Sequence, residues 1–116
     1  MWGVYGTEEY LAWFASLAET EQKAVAFEVG LLELFGPNLG RPHADTLHGA
    51  TTKNLKELRA VTANHVLRVA FYFDKRRNGI LLTGGDKKGK NQDKFYDDLI
   101  KAAEALIKKY KDYSWG

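Results

Sequence analysis

Arg59, Arg68 and Lys87 are side chains of the types that together can grip a phosphate. A guanidinium offers a rigid fork of N–H donors matched to two phosphate oxygens, and an ammonium adds a compact point charge. Arg68 is the most informative of the three. It lies in the apolar run Val66 to Phe73, where alternate residues face opposite ways. Leu67, Val69, Phe71 and Phe73 form the set expected to face the core, and Val66, Arg68, Ala70 and Tyr72 form the other. An unpaired buried charge is costly, so the guanidinium of Arg68 requires water or an anion. In the preceding run Glu57 and Arg59 share one face, with Lys56 and Leu58 on the other. The simplest alternative use of these charges is a cross-strand ion pair of Glu57 with Arg59 or Arg68, worth about 0.2–1 kcal/mol. A phosphate grip requires all three cations over one exposed sheet surface; internal carboxylate bridges would withdraw them from it.

The turn Gly84-Gly85-Asp86-Lys87-Lys88-Gly89-Lys90 is formally a G-x-x-x-x-G-K match between a strand and a helix. Asn91 follows where a phosphate-binding loop would carry Ser or Thr, so the hydroxyl ligand for magnesium is missing. The strand also belongs to hairpins rather than to a parallel nucleotide-binding sheet. His43, His48 and His65 lack metal-ligand spacing. His48 enters the basic segment beside Gly49 and is the histidine retained as a candidate site residue, against the plainer role of a surface loop side chain. Trp13 and Trp115 read as packing groups, with Trp115 expected to be poorly ordered so near the chain end.

Charge is unevenly distributed. Residues 1–40 carry a net −5, residues 41–94 a net +7, and residues 95–116 balance at zero, so the overall +2 conceals a basic central block. Such a local field favours a polyanion. The 116 residues suit one domain, 1–116, with one core. Cysteine is absent, which removes disulfides, thiolate metal sites and cysteine nucleophiles. No cofactor is expected. No apolar run approaches the roughly 20 residues of a membrane span, and no leader-like segment opens the chain, so a soluble, cytoplasmic protein is expected.

The elements that would position these groups follow from periodicity and breakers. Trp2 to Tyr5 reads as a first strand. Thr7 then caps a helix with Glu8 and Glu9 in its opening turn and Tyr10, Phe14 and Leu17 along one side. Thr20 is expected to cap a second helix whose stripe Ala24, Phe27, Leu31 and Leu34 runs until Gly36 and Pro37 stop it. Asn38 to Thr52 reads as a loop. Strands over Leu55–Thr62, His65–Phe73 and Gly79–Gly85 form an antiparallel meander, with Asn78-Gly79 as the second hairpin signal. A last helix from Asp93 to Tyr110 places Phe95, Leu99, Ala102, Leu106 and Tyr110 on one face. The order βααβββα defines an α+β fold, with the helical hairpin and the C-terminal helix packed on one side of an antiparallel sheet and the other side free.

The runs LGRPHADTLHGATTKNLKELR (Leu39–Arg59), VLRVAFYFD (Val66–Asp74) and ILLTGGDKKGKNQDKFYDD (Ile80–Asp98) resemble the phage-derived Gp49-like, HigB-type branch of the RelE/ParE toxin superfamily. The resemblance extends from the helical hairpin to the final helix. It implies a RelE-like fold and a toxin of a bacterial type II toxin–antitoxin pair that cleaves messenger RNA on the ribosome. It also implies an antitoxin partner, typically a helix-turn-helix protein. Matched to the family pattern, the arginine of Glu57-Leu58-Arg59, the strand arginine Arg68 and the lysine after the last strand, Lys87, are the functional positions.

Metal-free RNA cleavage by attack of a ribose 2′-hydroxyl needs a proton acceptor, a proton donor and cations around the phosphorane. Arg59 and Arg68 would supply the cations and Lys87 a further cation or a proton. Asp86 and His48 are candidates for the remaining proton transfer. Lys53, Lys56, Lys88 and Lys90 would hold the RNA backbone and make affinity strongly salt-dependent. Two other classes fit the same pattern: a ParE-like toxin that inhibits gyrase and cuts nothing, and a non-catalytic RNA-binding module. The acidic hairpin, through Glu21 and Glu28, and the final helix are expected to form the antitoxin's docking surface.

Overall fold

A computed structural model describes residues 1–116. The chain runs β1 (Val4–Gly6), α1 (Glu8–Ala15), α2 (Glu19–Phe35), a 3-10 turn (Gly36–Asn38), β2 (Ala44–Thr46), β3 (Lys56–Val61), β4 (Val66–Phe73), β5 (Gly79–Asp86) and α3 (Gln92–Lys109). The α+β class and the element order match the expectation, with one short strand more. The spatial order of the sheet is β1-β5-β4-β3-β2. It is mixed rather than wholly antiparallel, because β1 runs parallel to β5. The added strand β2 lies inside the stretch expected to be loop and pairs with the start of β3. No helix is long and apolar enough to cross a membrane.

Both faces of the sheet are covered. Leu58, Leu67, Val69, Phe71 and Leu81 meet Tyr10 of α1 and Val25 and Leu32 of α2 in one core. Ala70, Ile80 and Leu82 meet Phe95, Leu99, Ile100 and Ala103 of α3 in a second. The face expected to be free is therefore roofed by α3, since an exposed Ala70, Ile80 and Leu82 would forgo roughly 25 cal/mol for each Å² they now bury. Ile100 and Ala103 are buried on α3, whereas Ala102 is exposed.

Thr7 caps α1 as expected, accepting the Tyr10 N–H at 3.0 Å, while its hydroxyl donates to the Leu82 carbonyl at 2.6 Å. That carbonyl belongs to a bulge: Ala70 pairs with Thr83 and Phe71 with Leu81, leaving Leu82 as an extra residue in β5. The second hairpin turns through Arg77, which takes φ 67°, rather than through a left-handed Asn78 or Gly79. Asp74 Oδ1 fixes that turn by accepting the Arg76 and Asn78 N–H groups. Trp115 is ordered by aromatic packing on Tyr5, Tyr110 and Tyr113.

Helix α2 is rotated from the expected orientation. Its N-cap is Ala18, which makes no side-chain capping bond, and its buried residues are Glu21, Val25, Glu28 and Leu32. Of the stripe expected in the core, Ala24 and Leu31 are half-buried against it, whereas Phe27 and Leu34 are 64% and 57% exposed. The inversion is possible because the two inward glutamates are met by histidines. His43 Nδ1 lies 2.8 Å from Glu28 Oε1, and His65 Nε2 lies 3.9 Å from Glu21 Oε2. On the outer side, Gly30 has no atom within 4 Å of where a Cβ would sit. Replacing Gly30 with Ala is expected to raise the unfolding free energy by about 1 kcal/mol, because only the helix-propensity difference remains; chemical denaturation checks this, and a loss of stability would contradict the open environment.

Candidate active site

Strand register sets the first constraint on the charged groups. Arg59 of β3 stands directly opposite Arg68 of β4, and both face α3. Like charges across a ladder repel, and Glu57, two residues before Arg59 on the same face, resolves the conflict. Its Oε2 accepts from Arg59 Nε at 3.1 Å and Nη2 at 3.0 Å, and its Oε1 lies 3.3 Å from Arg68 Nε. Tyr96 of α3 completes the cluster, donating its hydroxyl to Glu57 Oε1 at 2.8 Å and accepting from Arg68 Nε at 3.2 Å. Arg68 also donates to the Leu67 carbonyl.

The cluster is buried to different depths. The side chains of Glu57 and Arg68 are 4% and 8% exposed, whereas that of Arg59 is 29% exposed. Arg68 is thus enclosed and bound internally and does not present its fork to an external phosphate, so the three-cation grip over an exposed sheet surface expected from the sequence is not formed: α3 covers the face and both arginines stand in carboxylate bridges. Arg59 shares its Nη2 with Asp45 Oδ2 at 3.3 Å, and its Nη1 has no partner within the chain. It lies in a groove of roughly 600 Å³ between the sheet and α3, whose lining also includes Asp45, His48, Lys87, Asp93, Tyr96 and Asp97.

The bulge at Leu82 decides which end residue of β5 reaches this groove. Ile80 and Leu82 face α3, so strict alternation would send Asp86 to α3 and Lys87 to the opposite side. The extra residue inverts that order. Gly84 then meets Trp13 of α1, Gly85 meets Phe95 of α3, and Asp86 pairs with Leu67 on the α1/α2 side. There His65 Nδ1 lies 2.6 Å from Asp86 Oδ2, while Asp86 Oδ1 accepts the Val66 and Lys88 N–H groups. Burial pushes the Asp86 carboxyl upward, but the bonds from His65, Val66 and Lys88 outweigh it and hold the group below the usual carboxylate range. Lys87 instead lies over the Tyr96 ring, 5.4 Å from its centroid. Burial, and after it the Arg68 guanidinium, depresses the Lys87 ammonium below its ordinary value against the opposing pull of Glu57. Burial and the bond to Glu57 push the Tyr96 phenol up.

Of the residues singled out from sequence, the structure gathers Arg59, Lys87 and His48 at the groove, with Arg68 beneath Arg59, and leaves Asp86 on the other face. The His48 loop is tied to α3 through Thr51 and Thr52, which each give a backbone N–H and a hydroxyl to Glu104 Oε2. None of Lys53, Lys56, Lys88 and Lys90 lines the groove. Lys56 shares its face with Leu58 towards α2, and Lys90 borders a separate groove of roughly 510 Å³ beside Gly84, Gly85 and Phe95. Tyr96, Asp93 and Asp97 were not among the sequence candidates. Their i, i+3 and i+4 spacing marked one helix side, but only the placement of α3 shows that this side meets the arginines.

These features define a small α+β domain with a charged cleft between its sheet and its last helix. Residues 12–108 match the family described as Phage derived protein Gp49-like (DUF891). The chain is 42% identical over 92 residues to "Putative toxin HigB3" of Mycobacterium tuberculosis, covering 79% of this chain and 78% of that protein. It is 37% identical over 101 residues to "Putative toxin HigB2" of the same organism, covering 86% of this chain but 50% of that protein. No solved structure matches the chain. The protein belongs to the Gp49-like family and, within it, to the HigB-type toxins of toxin–antitoxin pairs.

Two outcomes follow from the geometry. Glu57→Ala is expected to lower the unfolding free energy by about 3–5 kcal/mol, the cost of leaving a buried cation uncompensated, as read by denaturant melts; a change within about 0.5 kcal/mol, typical of surface substitutions, would contradict the buried bridge. Because the Lys87 pKa is depressed, its reactive neutral amine appears at lower pH than in a free lysine side chain. Its acylation midpoint, followed by mass spectrometry across pH, is therefore expected below the ordinary value of 10.5.

Proposed function

We propose that the protein is the toxin of a type II pair that arrests translation by cutting messenger RNA on the ribosome, without a metal. The observation that carries this reading is the convergence of Arg59, Lys87 and His48 on one groove over the rigid Glu57–Arg68–Tyr96 base. The free Nη1 edge of Arg59 and the ammonium of Lys87 would meet the two non-bridging oxygens of a phosphodiester. His48 would accept the ribose 2′-hydroxyl proton as the 2′-oxygen attacks phosphorus. Lys87, whose depressed pKa makes it a readier donor, would give a proton to the departing 5′-oxygen. The bond from phosphorus to the 5′-oxygen breaks and a 2′,3′-cyclic phosphate forms. Arg68 acts in this scheme by holding Glu57 and, through it, Arg59; Asp86 takes no part.

Electrostatics favours ribosomal presentation of the RNA. Asp45, Glu57, Asp93 and Asp97 line the same groove as Arg59 and Lys87, so the site lacks the uniform positive field that holds free RNA by counterion release. The expected partners are accordingly messenger RNA within the ribosome and the antitoxin.

Arg59→Ala and Lys87→Met are each expected to reduce cleavage by about 10²–10³-fold, the usual cost of losing one donor to a developing oxyanion, and to relieve growth arrest in a host lacking the antitoxin. Mapping of transcript ends after induction is the readout. Undiminished cleavage by both variants would overturn the site. Intact transcripts with DNA damage in the unsubstituted protein would favour gyrase inhibition, and intact transcripts without toxicity would favour an RNA-binding module.

A further inference from the structure

The end of α3 remote from the cleft borders a second groove, of about 420 Å³, on the same side of the sheet. Its lining combines aromatic rings with cations. Tyr72 of β4 packs against the core under α3, while Tyr113 and Trp115 follow the helix, their ring centroids 4.4 Å apart and their planes tilted by 48°. The segment carrying them is held by Tyr110, whose hydroxyl donates to Glu9 Oε1 at 2.7 Å, and by Trp115 against Tyr5. Tyr113 is nonetheless 59% exposed. A ring fixed in place yet open to water is a platform on which a flat group can lie.

The charges on this groove are uncommitted. Lys75 and Arg76 from the β4–β5 turn line it together with Lys108 and Lys111 from the end of α3. None of these four is in an ion pair, whereas the neighbouring Lys109 is paired with Glu9. Lys108 suits the negative end of a helix, but Lys75 and Arg76 serve no such end. Two acids share the lining, and Asp74 is engaged by the turn, its Oδ1 accepting the Arg76 and Asn78 N–H groups, which leaves Asp112. Exposed rings flanked by unpaired cations match a chain of unstacked bases on a phosphate backbone, since every base offers a π-face to a ring and every phosphate an anion to a side chain. We infer that the groove between Tyr72, Tyr113 and the β4–β5 turn holds a segment of single-stranded RNA. It rests on the RNA-cleavage reading only for the choice of RNA over DNA. Tyr96 at the cleft and Tyr110 at this groove stand roughly 20 Å apart along α3. The site therefore anchors RNA away from the bond that is cut, and adds the backbone attraction that the mixed charges of the cleft lack.

The test is fluorescence anisotropy of the full chain with a labelled 15-nucleotide oligouridylate carrying 2′-O-methyl sugars, which cannot be cut by 2′-hydroxyl attack. Tyr113→Ala is expected to weaken binding about tenfold, the loss of one base–ring stack. Arg76→Gln combined with Lys111→Gln is expected to make the slope of log affinity against log salt shallower by about 1.4, from two lost phosphate contacts at ~0.7 each. All three side chains are exposed, so these variants read the surface rather than the fold. Binding retained by Arg59→Ala supports the groove and separates it from the cleft, whose cleavage is read independently from transcript ends. Binding lost in Arg59→Ala but kept in Tyr113→Ala would place the RNA in the cleft and overturn the proposal. Equally tight binding of a duplex RNA or of polyglutamate, neither of which offers an unstacked base, would also overturn it, as would unaltered affinity and salt slope in the groove variants.

Discussion

Two guanidinium groups facing each other across neighbouring strands would push those strands apart, and the carboxylate of Glu57 is what allows them to coexist. The arrangement is demanding because Glu57 and Arg68 are almost wholly enclosed. Each enclosed charge needs its oxygens or N–H groups satisfied in place, since water is excluded. Tyr96 meets part of that demand from α3, which fixes the rotation of the helix over the sheet. Placing the Tyr96 ring then brings Lys87 against it. The ion bridge therefore organises the cleft as well as stabilising the sheet.

The cleft differs from a generic polyanion site. Its cations are few and individually constrained, and carboxylates stand among them. The basic residues of the central block are mostly elsewhere: Lys75, Arg76 and Arg77 in the β4–β5 turn, others on the turn after β5, on α3, on the α2 side of the sheet or in the loops before β3. Net charge in a segment therefore did not translate into a uniformly basic cleft. Strand alternation divides consecutive residues between two faces, and each face collects its own carboxylates.

The element order and the three long strands were legible from alternation and from turn residues, and the Thr7 cap from its side chain. The pairing of Glu57 with both arginines was legible as an alternative but not as the outcome, because it depends on Arg59 standing opposite Arg68, and register is not encoded in either strand alone. The orientation of α2 is only partly legible for a related reason. Its outer stripe is more apolar than its inner one, and periodicity assigns the more apolar side to the core. His43 and His65, distant in sequence, make the inner glutamates acceptable, and no local pattern announces such partners. Strand β2 was hidden because three residues between turns carry too little periodicity to stand out.

The irregularity at Leu82 acts as a parity switch. With one residue fewer in that strand, the amine of Lys87 and the carboxylate of Asp86 would exchange compartments, though every letter of the Asp86-Lys87 pair stayed the same. Whether the number of residues separating Ile80 from this pair is odd or even thus decides, as much as the presence of the lysine itself, whether an amine lines the cleft.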